Sequence, residues 1–313
     1  ASGGDLNISS GGVTAGAVSL SGSTALTLTG GSLTASSISA TSGAALNLNG
    51  GVASISGNLD FADAALSGGS LSFGGSLNAT MSTGSKTFST SMGGLGGLNK
   101  SGAGELILSG TNSFTGQTGI SAGTLTTSGN EVLSDSTLVK IDPGATFKLG
   151  GNESVGNVNA LTNTTAIPYI DLQNYTLTVG GNNLATTNSS RISGTGSVVK
   201  NGNALLYLNQ GTSTFSGGFT LNSGEINNLF LDGTVQFGLS AWANTNVFLN
   251  NGPLLTVSTN ATGVTTLQSE TTISTYNNVD WYQPISGNYR LIKSGVGDYA
   301  YSNNYLLLRG SNN

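Results

Sequence analysis

The sequence predicts an all-β protein, a single-stranded parallel β-helix (β-solenoid) with three short strands in each coil. Three observations lead to this prediction. Apolar residues alternate with small polar ones, which is the side-chain period of a β-strand. The alternating segments recur at a fixed spacing, as they do in solenoid proteins. The 49 glycines among 313 residues argue against helices, because glycine disfavours helix interiors.

The most regular units lie at the start of the chain and repeat every 20 residues. The apolar pairs are Leu6-x-Ile8, Leu26-x-Leu28 and Leu46-x-Leu48, the glycine pairs are Gly11-Gly12, Gly30-Gly31 and Gly50-Gly51, and the next apolar residues are Val13, Leu33 and Val52. Gly, Ser and Asn between the segments suit tight turns. We therefore predict regular coils over 1–75. A leucine-rich repeat has a similar period, but its L-x-x-L-x-L frame is not found.

A longer repeat begins near residue 95 and returns about 100 residues later. The matched segments are Lys100-Ser-Gly102 with Lys200-Asn-Gly202, Leu106-Ile-Leu108 with Leu206-Tyr-Leu208, Phe114-Thr-Gly116 with Phe215-Ser-Gly217, and Ile120-Ser-Ala-Gly123 with Leu221-Asn-Ser-Gly224. One residue is inserted in the second copy. Lys100 and Lys200 hold equivalent positions, and we expect each side chain to be exposed at a corner with its stem along the coil.

The segment from Gly97 to Gly116, GLNKSGAGELILSGTNSFTG, resembles the autotransporter-associated β-strand repeat, also called the passenger-associated transport repeat. Ile192 to Lys200 resembles the start of a second copy, which departs from the usual glycines at Ala204 and Gln210. The resemblance implies a right-handed parallel β-helix exported across a bacterial outer membrane, usually with a C-terminal membrane barrel. We recognise no such barrel in this sequence, and we expect a cleaved passenger or a freestanding secreted protein.

The domain prediction follows from these two kinds of repeat. Residues 1–275 are predicted to form the parallel β-helix, with the autotransporter-type repeats at about 95–230. Residues 276–313 are predicted to form an aromatic-rich C-terminal coil, which acts as a cap or as an assembly interface. Seven of the eleven Tyr and Trp residues lie in that last segment. A platform for stacking sugars is a third interpretation of these aromatic residues.

Composition excludes several classes of function. Without Cys or His there is no disulfide, no thiolate or imidazole metal site and no catalytic histidine. Nine basic residues in a chain of net charge −5 argue against nucleic acid as a partner. No apolar run has the length of a membrane helix. We predict no cofactor, no metal site and no catalytic residue, and the start at Ala1 suggests that a signal peptide was removed.

Enzymatic activity is the third of three functional hypotheses. Some parallel β-helices act on polysaccharides, and glycosidases need two carboxylates at a set separation. The candidate pairs are Asp60 with Asp63 and Asp135 with Asp142. The Asp142-Pro-Gly144 sequence is better explained as a turn, and Asp60 and Asp63 are expected on a solvated corner. We therefore predict that the protein is not an enzyme.

The first hypothesis is a structural subunit of a bacterial surface filament, sheath or layer, secreted to the cell surface of a Gram-negative-type bacterium. Its partner would be a second copy, joined head to tail. The candidate assembly interface consists of Leu6, Ile8, Tyr289, Tyr299, Tyr301, Tyr305, Leu307 and Arg309. The second hypothesis is a cleaved autotransporter passenger that acts as an adhesin, with cell-surface glycans or neighbouring cells as its partners.

Overall fold

The strands and turns of the protein are taken from a computed structural model. It describes residues 4–161, 166–208, 213 and 215–222, and beyond these the segments 225–227, 235–237, 245–249, 255–256, 265–267, 271–275, 279–281, 285–288, 290–294 and 306–308. Within these residues all regular elements are β-strands and no helix is found. The all-β prediction is confirmed. The chain forms two compact units, Ala1–Ser154 and Val155–Asn313.

The strands of the first unit are short and closely spaced. They are β1 Leu6–Ile8, β2 Gly12–Leu20, β3 Ala25–Leu28, β4 Ser32–Ala40, β5 Ala45–Asn47, β6 Val52–Ile55, β7 Leu59–Ala62, β8 Ala65–Ser67, β9 Ser70–Phe73, β10 Ser76–Thr80, β11 Ser85–Phe88, β12 Ser91–Gly93, β13 Gly97–Ser101, β14 Glu105–Leu108, β15 Thr118–Ile120, β16 Thr124–Thr127, β17 Leu138–Ile141, β18 Thr146–Leu149 and β19 Glu153–Ser154.

Parallel pairing stacks these strands into three faces of a solenoid. The first face contains β1, β3, β5, β8, β11, β14, β16 and β18. The second face contains the first half of β2 and of β4, followed by β6, β9 and β12. The third face contains the second half of β2 and of β4, followed by β7, β10, β13, β15 and β17. Each of the first five coils contributes one segment to each face, as predicted for a parallel β-helix, and the later coils of this unit contribute strands to the first and third faces.

The register of the first coils confirms the period of 20 residues. Leu6 pairs with Leu26, and Leu26 pairs with Leu46. The inward column of the third face continues this stacking through Ile38, Leu59, Leu77 and Leu98, which are all buried. Alternate residues of each strand therefore build one continuous aliphatic core, because successive side chains of a strand point to opposite sides.

The first two coils differ from the prediction of three separate strands. Both β2 and β4 run unbroken for nine residues across the corner between the second and third faces. Small residues occupy this corner, namely Gly16 in β2 and Ser36 in β4. Such residues let the chain bend while the parallel ladder continues. In the third coil Gly57 and Asn58 stand between β6 and β7, and the strand is divided.

Aromatic side chains pack in pairs within the core of the first unit. Phe61 and Phe88 meet edge to face with ring centroids 5.7 Å apart, and Phe73 and Phe114 meet at the same separation with tilted rings. All four side chains are fully buried. Edge-to-face and tilted contacts are the favoured geometries of aromatic pairs.

The second unit repeats the same architecture. Its strands are β20 Asn157–Ala160, β21 Tyr169–Asp171, β22 Thr176–Val179, β23 Thr186–Asn188, β24 Arg191–Ser193, β25 Ser197–Lys200, β26 Leu205–Leu208, β27 Phe219–Leu221, β28 Glu225–Asn227, β29 Val235–Phe237, β30 Thr245–Leu249, β31 Leu255–Thr256, β32 Thr265–Leu267, β33 Thr271–Thr275, β34 Val279–Trp281, β35 Ile285–Ser286, β36 Leu291–Ser294 and β37 Leu306–Leu308. Parallel ladders again join strands of successive coils, as between β22, β25 and β27.

Candidate functional site

The corner after β13 is the most distinctive feature of the first long repeat. Gly102 turns the chain with φ +77°, and a Cβ atom there would lie 2.2 Å from the carbonyl oxygen of Met81. Only glycine accommodates both the left-handed backbone and this close approach. Lys100, two residues earlier, pairs with Ala79 of the preceding coil and with Ile120 of the following one. It therefore occupies an inward position of the third face.

Lys100 is completely buried, and its ammonium group is saturated with hydrogen bonds. Nζ donates to the carbonyl oxygens of Ser101 at 2.9 Å, Gly102 at 2.8 Å and Ala122 at 3.0 Å. An ammonium group has three N–H donors and no acceptor, so every donor has a partner. Burial lowers the pKa of Lys100 to about 8. Because Ala122 belongs to the next coil, the lysine joins two successive coils at their corner.

Lys200 reproduces this arrangement in the second repeat. It is also fully buried, and it stands in register between Val179 and Leu221. Nζ donates to the carbonyl oxygens of Asn201 and Gly202, the latter at 2.8 Å. Gly202 turns the corner with φ +71°, and burial lowers the pKa of Lys200 to about 8.

The prediction that Lys100 and Lys200 are exposed at corners is therefore wrong. Both lysines do lie beside corners, but their stems run through the apolar core and only Nζ reaches the turn carbonyls. The sequence contains a signal for this placement. In Leu98-x-Lys100 and Val198-x-Lys200 the lysine has the same strand phase as a buried aliphatic residue.

Asn112 is a second buried polar residue of the first repeat, with 3% of its surface exposed. Its Oδ1 accepts a hydrogen bond from the amide of Met92 at 3.1 Å. Its Nδ2 donates to the carbonyl oxygens of Gly110 at 2.8 Å and Val132 at 2.9 Å. One side chain thus bridges the coil before it and the coil after it. In the second repeat the hydroxyl of Ser213 accepts from the amide of Ile192 at 3.1 Å.

The first candidate pair of carboxylates, Asp60 and Asp63, has structural partners. Asp60 accepts from Nδ2 of Asn78 at 2.7 Å, and Asp63 accepts from the amide of Ser82 at 2.7 Å. The backbone hydrogen bond from Ser82 holds the pKa of Asp63 below its usual value. Asp63 lies at a corner with φ 50°, as expected, whereas Asp60 lies on the outer side of strand β7.

The second predicted pair contains a turn residue. The carbonyl oxygen of Asp142 accepts from the amide of Ala145 at 3.0 Å, and Gly144 has φ +83°. These are the features of a β-turn with glycine at its third position, as the Asp-Pro-Gly sequence predicts. The carboxylate of Asp142 also lies 3.1 Å from Nζ of Lys140, in an exposed ion pair.

Glu153 is a buried carboxylate that sequence analysis did not single out. It has 1% of its surface exposed, and its two oxygens accept from the amides of Val132 at 3.0 Å and Leu133 at 2.8 Å. Burial raises its pKa to about 7, although the two amide hydrogen bonds oppose this effect. Both oxygens accept hydrogen bonds from backbone amides about one coil earlier in the chain. The carboxylate therefore joins two successive coils rather than facing a substrate.

The second face of the first unit presents small hydroxyl groups outward. Most outward positions are occupied by the exposed residues Thr14, Ser32, Thr34, Ser54, Ser70, Ser72 and Ser91. Val52, which is 50% exposed, stands between Ser32 and Ser70 in the same outward row. Strands β6, β9 and β12, and the matching halves of β2 and β4, contain no charged residue. The third face carries a polar ladder instead, in which Asn99 donates to Asn78 at 2.9 Å and Asn78 donates to Asp60.

The predicted assembly interface falls only partly on described residues. Leu6 is 52% exposed, whereas Ile8 is buried with 5% exposed. Leu307 lies in β37, where it pairs with Asp280. The remaining members, which lie outside the described residues, are Tyr289, Tyr299, Tyr301, Tyr305 and Arg309. The grouping of these residues into one interface stays a prediction.

The part of the chain that the structure describes contains neither a metal-binding cluster nor a membrane-spanning helix. No three acidic, His or Cys residues come together there as a metal site would require. No helix in the same residues has the length and apolar character needed to cross a membrane.

Comparison with known proteins identifies the repeats. The profile of the passenger-associated-transport-repeat matches residues 98–126 and 198–227, which contain both buried lysines. The chain is autotransporter passenger-like and carries two of these repeats. The resemblance noted in the sequence is thereby confirmed.

A curated relative extends the likeness beyond the two repeats. The chain is 32% identical over 186 residues to a protein named Adhesin BmaC autotransporter, from Brucella suis biovar 1 (strain 1330). The match covers 58% of this chain and 5% of that adhesin, so the chain corresponds to a small part of the relative's length. No solved structure shows a significant match.

Proposed function

We propose that this protein is an autotransporter passenger that acts as an adhesin at the surface of a Gram-negative bacterium. The observation that carries the proposal is the 186-residue similarity to an autotransporter adhesin, together with the two passenger-associated repeats. The solenoid supports it physically. Its stacked coils form a buried core, while the outer faces of the first unit offer neutral hydroxyl and amide groups for contact with a partner.

The adhesin proposal is tested with the purified chain of 313 residues coupled to beads. We expect these beads to attach to cultured epithelial cells or to bacterial cells more than albumin-coated beads do, and soluble chain to compete for attachment. Beads coated with the heat-denatured chain are the matched control. Attachment no greater than that of albumin beads to either kind of cell would refute the proposal.

The same proposal includes the absence of enzymatic activity. Its support is that Asp60 accepts a hydrogen bond from Asn78, Asp63 accepts one from the amide of Ser82, and Asp142 forms part of a turn. We expect no shortening of pectin-like or alginate-like polysaccharides on incubation with the protein. Release of reducing ends that is abolished by Asp60→Asn or Asp142→Asn would overturn this part of the proposal.

End-to-end assembly into a filament is a second candidate function. Leu6 and Val13 stand in register with the buried residues Leu26 and Leu33, yet they are 52% and 36% exposed. A second copy stacked on this coil would cover them. Negative-stain microscopy at high concentration is expected to show rods that Leu6→Asp shortens. Leu95→Asp, at a corner residue that is 82% exposed, is the control, and isolated short particles of the unmodified protein would refute assembly.

A further inference from the structure

We propose that Lys100 fixes the register of its coil against the following coil, so that the first repeat stacks in a single way. The claim concerns the uniqueness of the fold rather than its adhesive partner. It rests on the hydrogen bond from Nζ to the carbonyl oxygen of Ala122 in the following coil and on the inward column in which Lys100 stands.

The aliphatic pattern alone leaves the register of this region open. A slip of one residue would turn buried side chains outward and is strongly disfavoured. A slip of two residues preserves the alternation. Thr118 and Ile120 of the following coil both face inward and are buried, so such a slip would still place one inward side chain over another. Core packing therefore distinguishes these registers weakly.

Lys100 reduces this ambiguity because one of the three partners of its ammonium group lies in the following coil. In the observed pairing with Ala79 and Ile120, Nζ lies 2.8–3.0 Å from the carbonyl oxygens of Ser101, Gly102 and Ala122. Ser101 and Gly102 belong to the lysine's own corner, whereas a slip against the following coil would move the Ala122 carbonyl out of reach. The buried ammonium group would then keep one N–H donor without a partner, which is unfavourable. A buried polar group with this effect specifies register at some cost in stability.

Among the described residues, no acidic side chain forms an ion pair with Lys100 or Lys200. Strands β10 and β15, which flank Lys100, contain no charged residue, and neither do β22 and β27, which flank Lys200. Glu105, which follows the corner, accepts a hydrogen bond from Thr126 at 2.6 Å. In both repeats Nζ donates to the carbonyl oxygen of the glycine two residues later, and in the first repeat it also donates to Ala122 of the following coil.

The test compares unmodified protein, Lys100→Met and Lys140→Met after refolding from denaturant. Methionine keeps the length of the side chain and removes the charge and the donors. Lys140 lies in β17 on the same face, and its side chain is 47% exposed. Lys140→Met therefore controls for the loss of a surface charge. Hydrogen exchange with mass spectrometry then follows peptides that span residues 97–125.

We expect one isotopic envelope for these peptides in the unmodified protein and in Lys140→Met. Lys100→Met should show two envelopes, with at least about one fifth of the molecules in the faster-exchanging one, and an unchanged far-ultraviolet spectrum. A single envelope in refolded Lys100→Met would overturn the proposal, even if its unfolding midpoint fell, because the lysine would then contribute stability alone.

A further variant keeps the proposal testable if Lys100→Met does not refold. Lys100→Leu also removes the charge and the N–H donors, with a shorter side chain. Two envelopes in this variant, confined to peptides that span residues 97–125, would support the proposal. A single envelope in refolded Lys100→Leu would contradict it.

Discussion

The coils before residue 90 and the coils from residue 90 to the end of the first unit differ in the side chains that pack between successive coils. In the regular coils before residue 90, the described residues include a single buried polar side chain, that of Thr24. From residue 90 to the end of the unit, the buried polar side chains are Thr90, Lys100, Asn112, Thr118, Thr126, Thr127, Thr137 and Glu153. The regular coils depend on interchangeable apolar columns. The repeat adds buried polar groups such as Lys100 and Asn112, which have hydrogen-bond partners in neighbouring coils and so help to specify which residues meet.

The largest expected effect concerns a corner of the repeat. Gly102→Ala should destabilise the fold by about 3 kcal/mol or more, because the new Cβ would clash with the backbone of Met81 as well as strain the backbone. Gly22 also has positive φ but faces open space, so Gly22→Ala should cost about 1 kcal/mol. Denaturant midpoints measure both. Equal losses at the two corners would contradict the close approach described for Gly102.

A core truncation in the regular coils should be nearly as costly. Leu66→Ala removes a fully buried side chain of the first face and should lower the free energy of unfolding by about 3 kcal/mol. Thr34→Ala, on the exposed hydroxyl face, should change it by less than about 0.5 kcal/mol. Urea unfolding of the two variants tests the inward and outward assignments. A larger loss for Thr34→Ala would mean that these assignments are reversed.

The bridging asparagine of the repeat should have an intermediate effect. Asn112→Ala leaves the amide of Met92 and the carbonyl of Gly110 without their side-chain partner, at an expected cost of about 2 kcal/mol. Asn99→Ala breaks only the exposed ladder contact with Asn78 and should cost less than about 1 kcal/mol. Thermal or urea unfolding distinguishes them. Comparable losses would show that burial of Asn112 does not set its contribution.

The smallest effect is a pH dependence that Glu153 imposes on stability. Its pKa in the folded state is raised to about 7, above the ordinary value of 4.5, so the folded state binds this proton more tightly than the unfolded state. The resulting contribution to stability is fully present below pH 4.5 and is lost as pH rises through about 7. Unfolding midpoints measured across this range should decline less in Glu153→Gln. An unchanged decline would assign it to other groups.

The fold could be predicted from the sequence because its cause is local and repeated. Leu26 and Leu46 recur at one spacing with one strand phase, and that phase decides which side chains face inward. The unbroken β2 was not predicted, because glycine and small residues at a corner fit either a turn or a bend within a strand.

The buried polar residues were harder to predict, because a charged side chain usually lies in solvent whereas the strand phase of these lysines indicates an inward position. Lys100 and Lys200 were expected outside on account of their charge, and the carbonyls that compensate for their burial come from a turn and a neighbouring coil. The phase set by Leu98 and Val198 was the available signal. For Glu153 the sequence provides no comparable signal, since its amide partners lie about 20 residues earlier in the chain.

The most direct test of the repeat-bearing coils is the titration of their lysines by nuclear magnetic resonance. The side-chain Cε and Nζ signals are assigned by the loss of one signal in Lys100→Gln and of another in Lys200→Gln. The account predicts that both lysines titrate near pH 8 in the folded protein, because both are buried. Titration of both near the ordinary value of 10.5 would place them in solvent and contradict the inward stacking of the two repeats.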